Sequence, residues 1–369
     1  MFREHAKVPD NVISSRSEPQ DHLMNIDDVC VRSGVLPGHR VPGRDVVLTE
    51  LGLGASQFGN LYRQTTDEEA RGAVGAAWAA GIRYFDTAPH YGLGLSERRL
   101  GALLAGRPRR EYVLSTKVGR LLVPSPETAG RRDDQGFDVP AAYRRVVDFS
   151  RDGVRRSLEA SLDRLGVDRV DVVYLHDPDQ YWEQACGQGV PALVELRDEG
   201  VIGAVGVGMN QSAMLADYVN QCDIDLVMCA NRYTLLEQGA LRDLLPAAVD
   251  RGVGVVIAGV YNSGLLARDR PAKDAMYDYQ AAPGDVVARV QQIADVCDEY
   301  GVSVPAVALA FVRAHPAVIA TVVGARSGVQ VDSNVERART PIPGDLWQEL
   351  RGRGLLDLDA PIPVDALGS

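Results

Sequence analysis

Along the chain, short runs of apolar and β-branched residues alternate with longer stretches whose apolar positions recur every three or four residues. The short runs predict strands at 51–56, 82–86, 112–117, 171–176, 201–207, 225–230, 253–258 and 318–324. The longer stretches predict helices over 67–80, 96–105, 152–165, 190–199, 211–220, 239–250, 283–300 and 328–337. Nearly all-apolar strands, each followed by a helix, indicate parallel strands covered by helices. Eight such units over about 290 residues predict an α/β fold, a closed (β/α)8 TIM barrel, in preference to an open doubly wound sheet.

The connections add detail. VPGRDVVLTELGLG (41–54) carries a Pro-Gly turn followed by alternating apolar positions, which predicts a short N-terminal hairpin. Two loops exceed the minimal repeat, 119–150 and 259–280, and the tail from Thr340 holds a further helix over 344–352. Long loops at a barrel mouth tend to shape substrate. Residues 1–38 are polar and aperiodic, as expected of a flexible extension. The barrel then takes 39–355 and a C-terminal tail 356–369.

Composition narrows the partners. Of 369 residues 46% are apolar and 24% charged, an ordinary globular balance. The 39 basic and 50 acidic residues leave a net charge of −11, which repels nucleic acid and anionic membrane surfaces and leaves a small-molecule substrate as the expected partner. Cys30, Cys186, Cys222, Cys229 and Cys297 are odd in number and scattered, so neither a disulfide framework nor a metal site is expected. The first thirty residues have no secretory pattern and no apolar run is long enough to span a bilayer, so a cytoplasmic location is expected. Oligomeric state is not legible.

Several motifs are missing. There is no GxxxxGK[ST], HExxH or GxSxG. Gly52-Leu-Gly54 and Gly206-Val-Gly208 each lack the third glycine of a dinucleotide fingerprint, since Gln57 and Gln211 stand there. Any nucleotide would therefore bind without a Rossmann turn.

Polar residues instead fall at strand ends. Asp86 closes the second predicted strand in RYFDTAPHYG, with Tyr91 just beyond it. Lys117 closes the third in YVLSTKVG, His176 the fourth in VVYLHDPD, and Asn210 follows the fifth in AVGVGMN. Barrel active sites lie at the carboxyl ends of the strands, so these side chains are expected to converge. A phenol is a poor acid or base near neutrality. An adjacent ammonium lowers its pKa, a carboxylate holds the ammonium, and an imidazole orients a reacting oxygen. At the other end, TVVGARSGVQVDSN (321–334) runs from a strand through Gly324-Ala-Arg326-Ser327 into a helix, a pattern suited to an anion.

At RYFDTAPHYG, STKVG, LHDPD and GARSGVQVDSN the chain resembles the aldo-keto reductases, from about Leu51 to Arg337. The resemblance implies an extended nicotinamide cofactor on a (β/α)8 barrel. Tyr91 would be the acid/base, Lys117 and Asp86 would tune it, and His176 would orient substrate. Asn210 would hold the nicotinamide carboxamide, and Gly324, Arg326, Gln330 and Asn334 would line the phosphate and adenosine end. HYGLGLSERRLG, KVGRLL, DFSRDGVRRSLEASLDRLG, ANRYTLLEQ and YNSGLLA are similar to the sugar-oxidising, aldose 1-dehydrogenase branch, beside the pyridoxal dehydrogenases. That likeness implies oxidation of a sugar hemiacetal, such as that of L-fucose, to a lactone. His90 and Trp182, with the 119–150 loop, would shape the substrate pocket.

Ala230 and Ala258-Gly259 stand about where many members carry a Gln and a stacking aromatic, with Tyr261 as a possible substitute. The cofactor is NAD or NADP. NAD is favoured, because Arg326 alone stands ready for a 2′-phosphate. The alternatives are an NADPH-dependent aldehyde or ketone reductase, a pyridoxal dehydrogenase, and a cofactor-sensing binding subunit.

Overall fold

The computed structural model describes residues 34–363 except 273 and 279. Most of the predicted N-terminal extension and the end of the tail therefore lie outside the described residues. Eight parallel strands close into a barrel: β1 (Leu51–Gly54), β2 (Tyr84–Asp86), β3 (Val113–Val118), β4 (Val172–His176), β5 (Ala204–Met209), β6 (Leu226–Ala230), β7 (Gly254–Ala258) and β8 (Val318–Gly324). Each pairs with its neighbours in chain order, and β8 pairs with β1 through Thr321–Leu51 to Gly324–Gly54.

The main helices are α1 (Asp67–Ala80), α2 (Leu95–Leu104), α3 (Arg151–Leu165), α4 (Val190–Asp198), α5 (Ser212–Gln221), α6 (Leu244–Arg251), α7 (Gly284–Glu299), α8 (Val304–Arg313), α9 (Gly328–Arg339) and α10 (Gly344–Gly352). Local chemistry sets their limits. Thr66 and Glu69 form a reciprocal capping box at the start of α1, and Ser150 caps α3. One apolar core lies between strands and helices; a second fills the barrel.

Four expectations shift. The N-terminal hairpin pairs Gly38–Arg40 with Val47–Thr49, so the predicted turn at 41–46 is correct but 51–54 belongs to the barrel. Its Val41, Val46 and Leu48 pack on interior residues such as Tyr84 and Tyr174. The fifth strand begins at Ala204, because Val201 and Ile202 serve the outer core instead. The predicted 239–250 helix breaks at Asp243, whose carboxylate accepts from the Leu244 amide and starts α6 afresh. Finally, α8 was not predicted: it is buried almost all round, so no polar face marks its period.

The long loops are structured. Within 119–150, Arg120–Pro124 pairs antiparallel with Tyr143–Val147, and Phe137 bridges to Leu61. Within 259–280, a two-residue pair at Met276–Tyr277 and Gln280–Ala281 is tied down by two Arg232–Asp278 bonds of 2.7 and 3.0 Å. Cys186, Cys222, Cys229 and Cys297 are free thiols.

Candidate active site

Strand register brings the predicted residues together. Asp86 pairs with Ser115, Lys117 with Tyr174, and His176 with Gly208. Since alternate residues of a strand share a face, Asp86, Ser115, Lys117, Tyr174 and His176 lie on one face of the sheet. Lys117 Nζ donates to Asp86 Oδ2 at 2.6 Å and to the Thr87 carbonyl at 3.1 Å, with all three residues buried.

Tyr91 comes from the loop between β2 and α2. Its Lys117 neighbour sits 4.8 Å from the ring centre, close enough to act on the phenol's pKa. Gly59 and Gly92 let this loop press against the segment after β1, where a Cβ on Gly59 would lie 2.5 Å from the Tyr91 carbonyl carbon. The His176 ring stands edge-on to Tyr91 at 5.9 Å and to His90 at 5.5 Å. The four residues expected to act together, and His90 with them, thus occupy one end of the barrel.

The electrostatics differ from expectation in one respect. Lys117 does lower the Tyr91 pKa, but burial acts more strongly and Asp86 works with it, so the phenol is pushed up to about 12. The Lys117 ammonium is held firmly charged: Asp86 and Tyr91 more than offset its burial. Burial first, then the Arg120 and Lys117 charges, drives His176 well below the usual imidazole value. His90 falls to about 2, through burial and Arg145. Both imidazoles are therefore neutral near pH 7, and the Nδ1 atom of each is buried without a partner.

Sequence reasoning missed the residues that the 119–150 excursion supplies. Phe137 packs edge-on against His90 at 5.3 Å and beside Tyr91 at 6.1 Å. Arg145 Nη2 donates to the His90 carbonyl at 2.9 Å and pairs with the buried Asp133. Arg120 Nη2 reaches Asp177 Oδ2 at 2.8 Å, beside His176. A loop without a period gives no signal for these contacts. Trp182 is partly buried, with its ring tilted against Tyr218 of α5 at 4.5 Å and packed on the outer core.

The residues expected at the cofactor end lie at the close of β8, on α9 and after β5. Gly324 is exposed at the close of β8, where a Cβ would lie 2.7 Å from the Gln57 amide. Ser327 begins α9 without a side-chain cap, and the first turn holds no acid, so its amides face no competing anion. Among the described residues Arg326 has no carboxylate within ion-pair distance, and it bonds to the Leu61 and Arg63 carbonyls and to Thr65 Oγ1. Gln330 is exposed, and its Oε1 accepts from the Arg326 amide at 2.9 Å. Asn334 is buried and accepts from Tyr261 at 3.1 Å, which ties Tyr261 to α9. Asn210 follows β5 directly and is partly exposed.

One ion pair anchors this architecture. Glu97 of α2 is fully buried, accepts from Thr116 Oγ1 beside Lys117 at 2.8 Å, and takes Arg164 Nε of α3 at 2.6 Å. Replacing Arg164 by Leu should cost about 3–5 kcal/mol of unfolding free energy in a denaturant titration, because it strands a buried carboxylate.

The Aldo/keto reductase family model matches residues 50–352. The chain is 46% identical over 308 residues to a D-threo-aldose 1-dehydrogenase from a Pseudomonas species, covering 83% of this chain and 94% of that one. It is 39% identical over 330 residues to pyridoxal 4-dehydrogenase from Microbacterium luteolum, covering 84% and 95%. An aldo-keto reductase from Bacillus halodurans, solved in its holo form, superposes with a TM-score of 0.67 at 25% identity, covering 90% and 99%. Among the described residues no helix is long and apolar enough to cross a membrane.

Proposed function

Because this chain belongs to the aldo/keto reductase family and is an NAD(P)-dependent oxidoreductase, we propose that it oxidises the hemiacetal carbon of an aldose to a lactone, with Tyr91 as the base. The likeness to a D-threo-aldose 1-dehydrogenase supports the sugar. The observation that carries the chemistry is the Asp86–Lys117–Tyr91–His176 cluster at one rim.

His176, neutral and buried, hydrogen-bonds the hydroxyl oxygen on the reacting carbon and fixes its position. Tyr91 takes that hydroxyl's proton as the C–H bond gives up its hydride, leaving a C=O. Lys117 steadies the phenolate that this transfer needs, and Asp86 keeps Lys117 in place. The proton taken up by Tyr91 is released to solvent before the next turnover. A bound oxidised nicotinamide would supply the hydride acceptor, and its positive charge would favour the phenolate form of a phenol that burial raises to about 12.

The α9 amides and Arg326 suit the cofactor's phosphates, and Asn210 its carboxamide. We assign NAD as the cofactor. Arg326 already serves three acceptors, and its neighbour Arg63 is paired with Glu69, whose carboxylate opposes a further phosphate. Arg326→Ala should raise the NAD dissociation constant about ten- to hundredfold, with kcat at saturating cofactor little changed. The reading is tested by a panel of aldoses, pyridoxal and simple aldehydes with NAD and NADP, following reduced nicotinamide. Lactone formation from an aldose with NAD supports it. Turnover confined to aldehyde reduction by NADPH, or to pyridoxal, would overturn it.

A further inference from the structure

Beneath Asp86 runs a line of hydroxyl groups that the proton transfer does not itself use. Ser115 Oγ lies 2.7 Å from Asp86 Oδ1 and 3.3 Å from the Tyr84 oxygen, which in turn lies 3.1 Å from the Tyr174 oxygen. All four residues are buried. An ionised carboxylate only accepts, so the single Ser115 hydrogen goes to Asp86. Ser115 Oγ is also oriented to donate to the Tyr84 oxygen, the longer of its two contacts, and either phenol can donate in the Tyr84–Tyr174 bond. The shorter, charge-assisted contact takes the Ser115 hydrogen to Asp86, with the two phenols packed behind it.

Burial raises both phenols above the ordinary tyrosine value, so neither loses its proton near neutral pH. Space has been cleared for both rings. A Cβ on Gly52 would lie 2.7 Å from the Tyr84 ring, and one on Gly206 2.5 Å from the Tyr174 ring. The two glycine pairs that fail as a nucleotide fingerprint thus include the residues that admit these tyrosines.

We propose that Ser115, backed by Tyr84 and Tyr174, is a positioning residue. It holds Asp86 Oδ1 so that Oδ2 stays on Lys117, and through Lys117 it fixes the ammonium at Tyr91. The proposal rests on the roles given above to Asp86, Lys117 and Tyr91. A hydroxyl lost from a buried carboxylate leaves that oxygen with no other protein donor in the structure. Asp86 is then free to turn, and the effect falls on the chemical step. Ser115, Tyr84 and Tyr174 are fully buried, so cofactor and sugar binding should be spared.

The test is steady-state kinetics of the full chain carrying Ser115→Ala, Ser115→Thr, Tyr84→Phe and the Ser115→Ala/Tyr84→Phe pair, with cofactor affinity and unfolding measured alongside. Ser115→Ala should lower kcat about tenfold or more while KM and the NAD dissociation constant hold. Ser115→Thr, which keeps the hydroxyl, should restore it. Tyr84→Phe should lower kcat less, and the pair should be no worse than Ser115→Ala alone, because Tyr84 acts through Ser115. A folded Ser115→Ala enzyme with parental kcat would overturn the proposal, as would a loss shared equally with cofactor binding or fully additive effects in the pair. If Tyr91→Phe abolishes turnover while Ser115→Ala does not, only this proposal fails. If Tyr91→Phe turns over normally, the reading beneath it has failed.

Discussion

Replacing Tyr91 by Phe should reduce kcat for aldose oxidation by about 10²–10⁴, the range expected when a positioned proton-transfer group is removed. The ring is retained, so its edge contact with His176 and its packing on Phe137 persist. Only the hydroxyl is lost. Cofactor affinity should stay within about twofold, because the α9 amides and Arg326 lie on different strands' loops from Tyr91. Rapid-mixing measurement of reduced nicotinamide in a single turnover checks the chemical step apart from product release. A variant that forms reduced cofactor at the parental rate would remove Tyr91 from the reaction.

Lys117→Met should act on two observables at once. With the ammonium gone, burial and Asp86 both push the Tyr91 phenol upward with nothing to oppose them. Oxidation needs that phenol to accept a proton, so residual activity should be lower by about 10²–10³ near neutrality and should recover only toward alkaline pH. The variant also leaves the Asp86 carboxylate buried without its cation, at an expected cost of about 3–5 kcal/mol in unfolding free energy. Asp86→Asn/Lys117→Met should regain part of the stability and none of the activity. A pH–rate profile with a denaturant titration separates the two effects.

The barrel and the convergence of Asp86, Lys117 and His176 at one end of it were legible for the same reason. Short apolar runs ending in Asp86, Lys117 and His176 put unusual charge at the close of strands, and a closed barrel leaves one end for them to share. A compositional signal reinforces Lys117. The chain holds 36 arginines and three lysines, and the one lysine among the described residues is the buried one. Arginine, always charged and forked, would not replace a compact ammonium there.

Other features left no trace in the pattern. Phe137 and Arg145 reach the mouth from a loop whose course is set by contacts far apart in sequence, such as Leu61 with Phe137. The α8 helix lacks a polar face because α7, α9 and β8 surround it. The packing of Trp182 on Tyr218 of α5 likewise joins residues distant in sequence, so no local pattern announces it. The phenol's elevated pKa was also hidden, since sequence shows the neighbouring ammonium and not the depth of burial.

The most direct measurement supplies NAD and an aldose deuterated at its anomeric carbon, then analyses both products by mass spectrometry. The account predicts that the deuterium appears in the reduced nicotinamide, that the sugar is recovered as its lactone, and that Tyr91→Phe suppresses both. An aldose recovered unchanged with its label, across the sugar panel and with NAD bound, would contradict it.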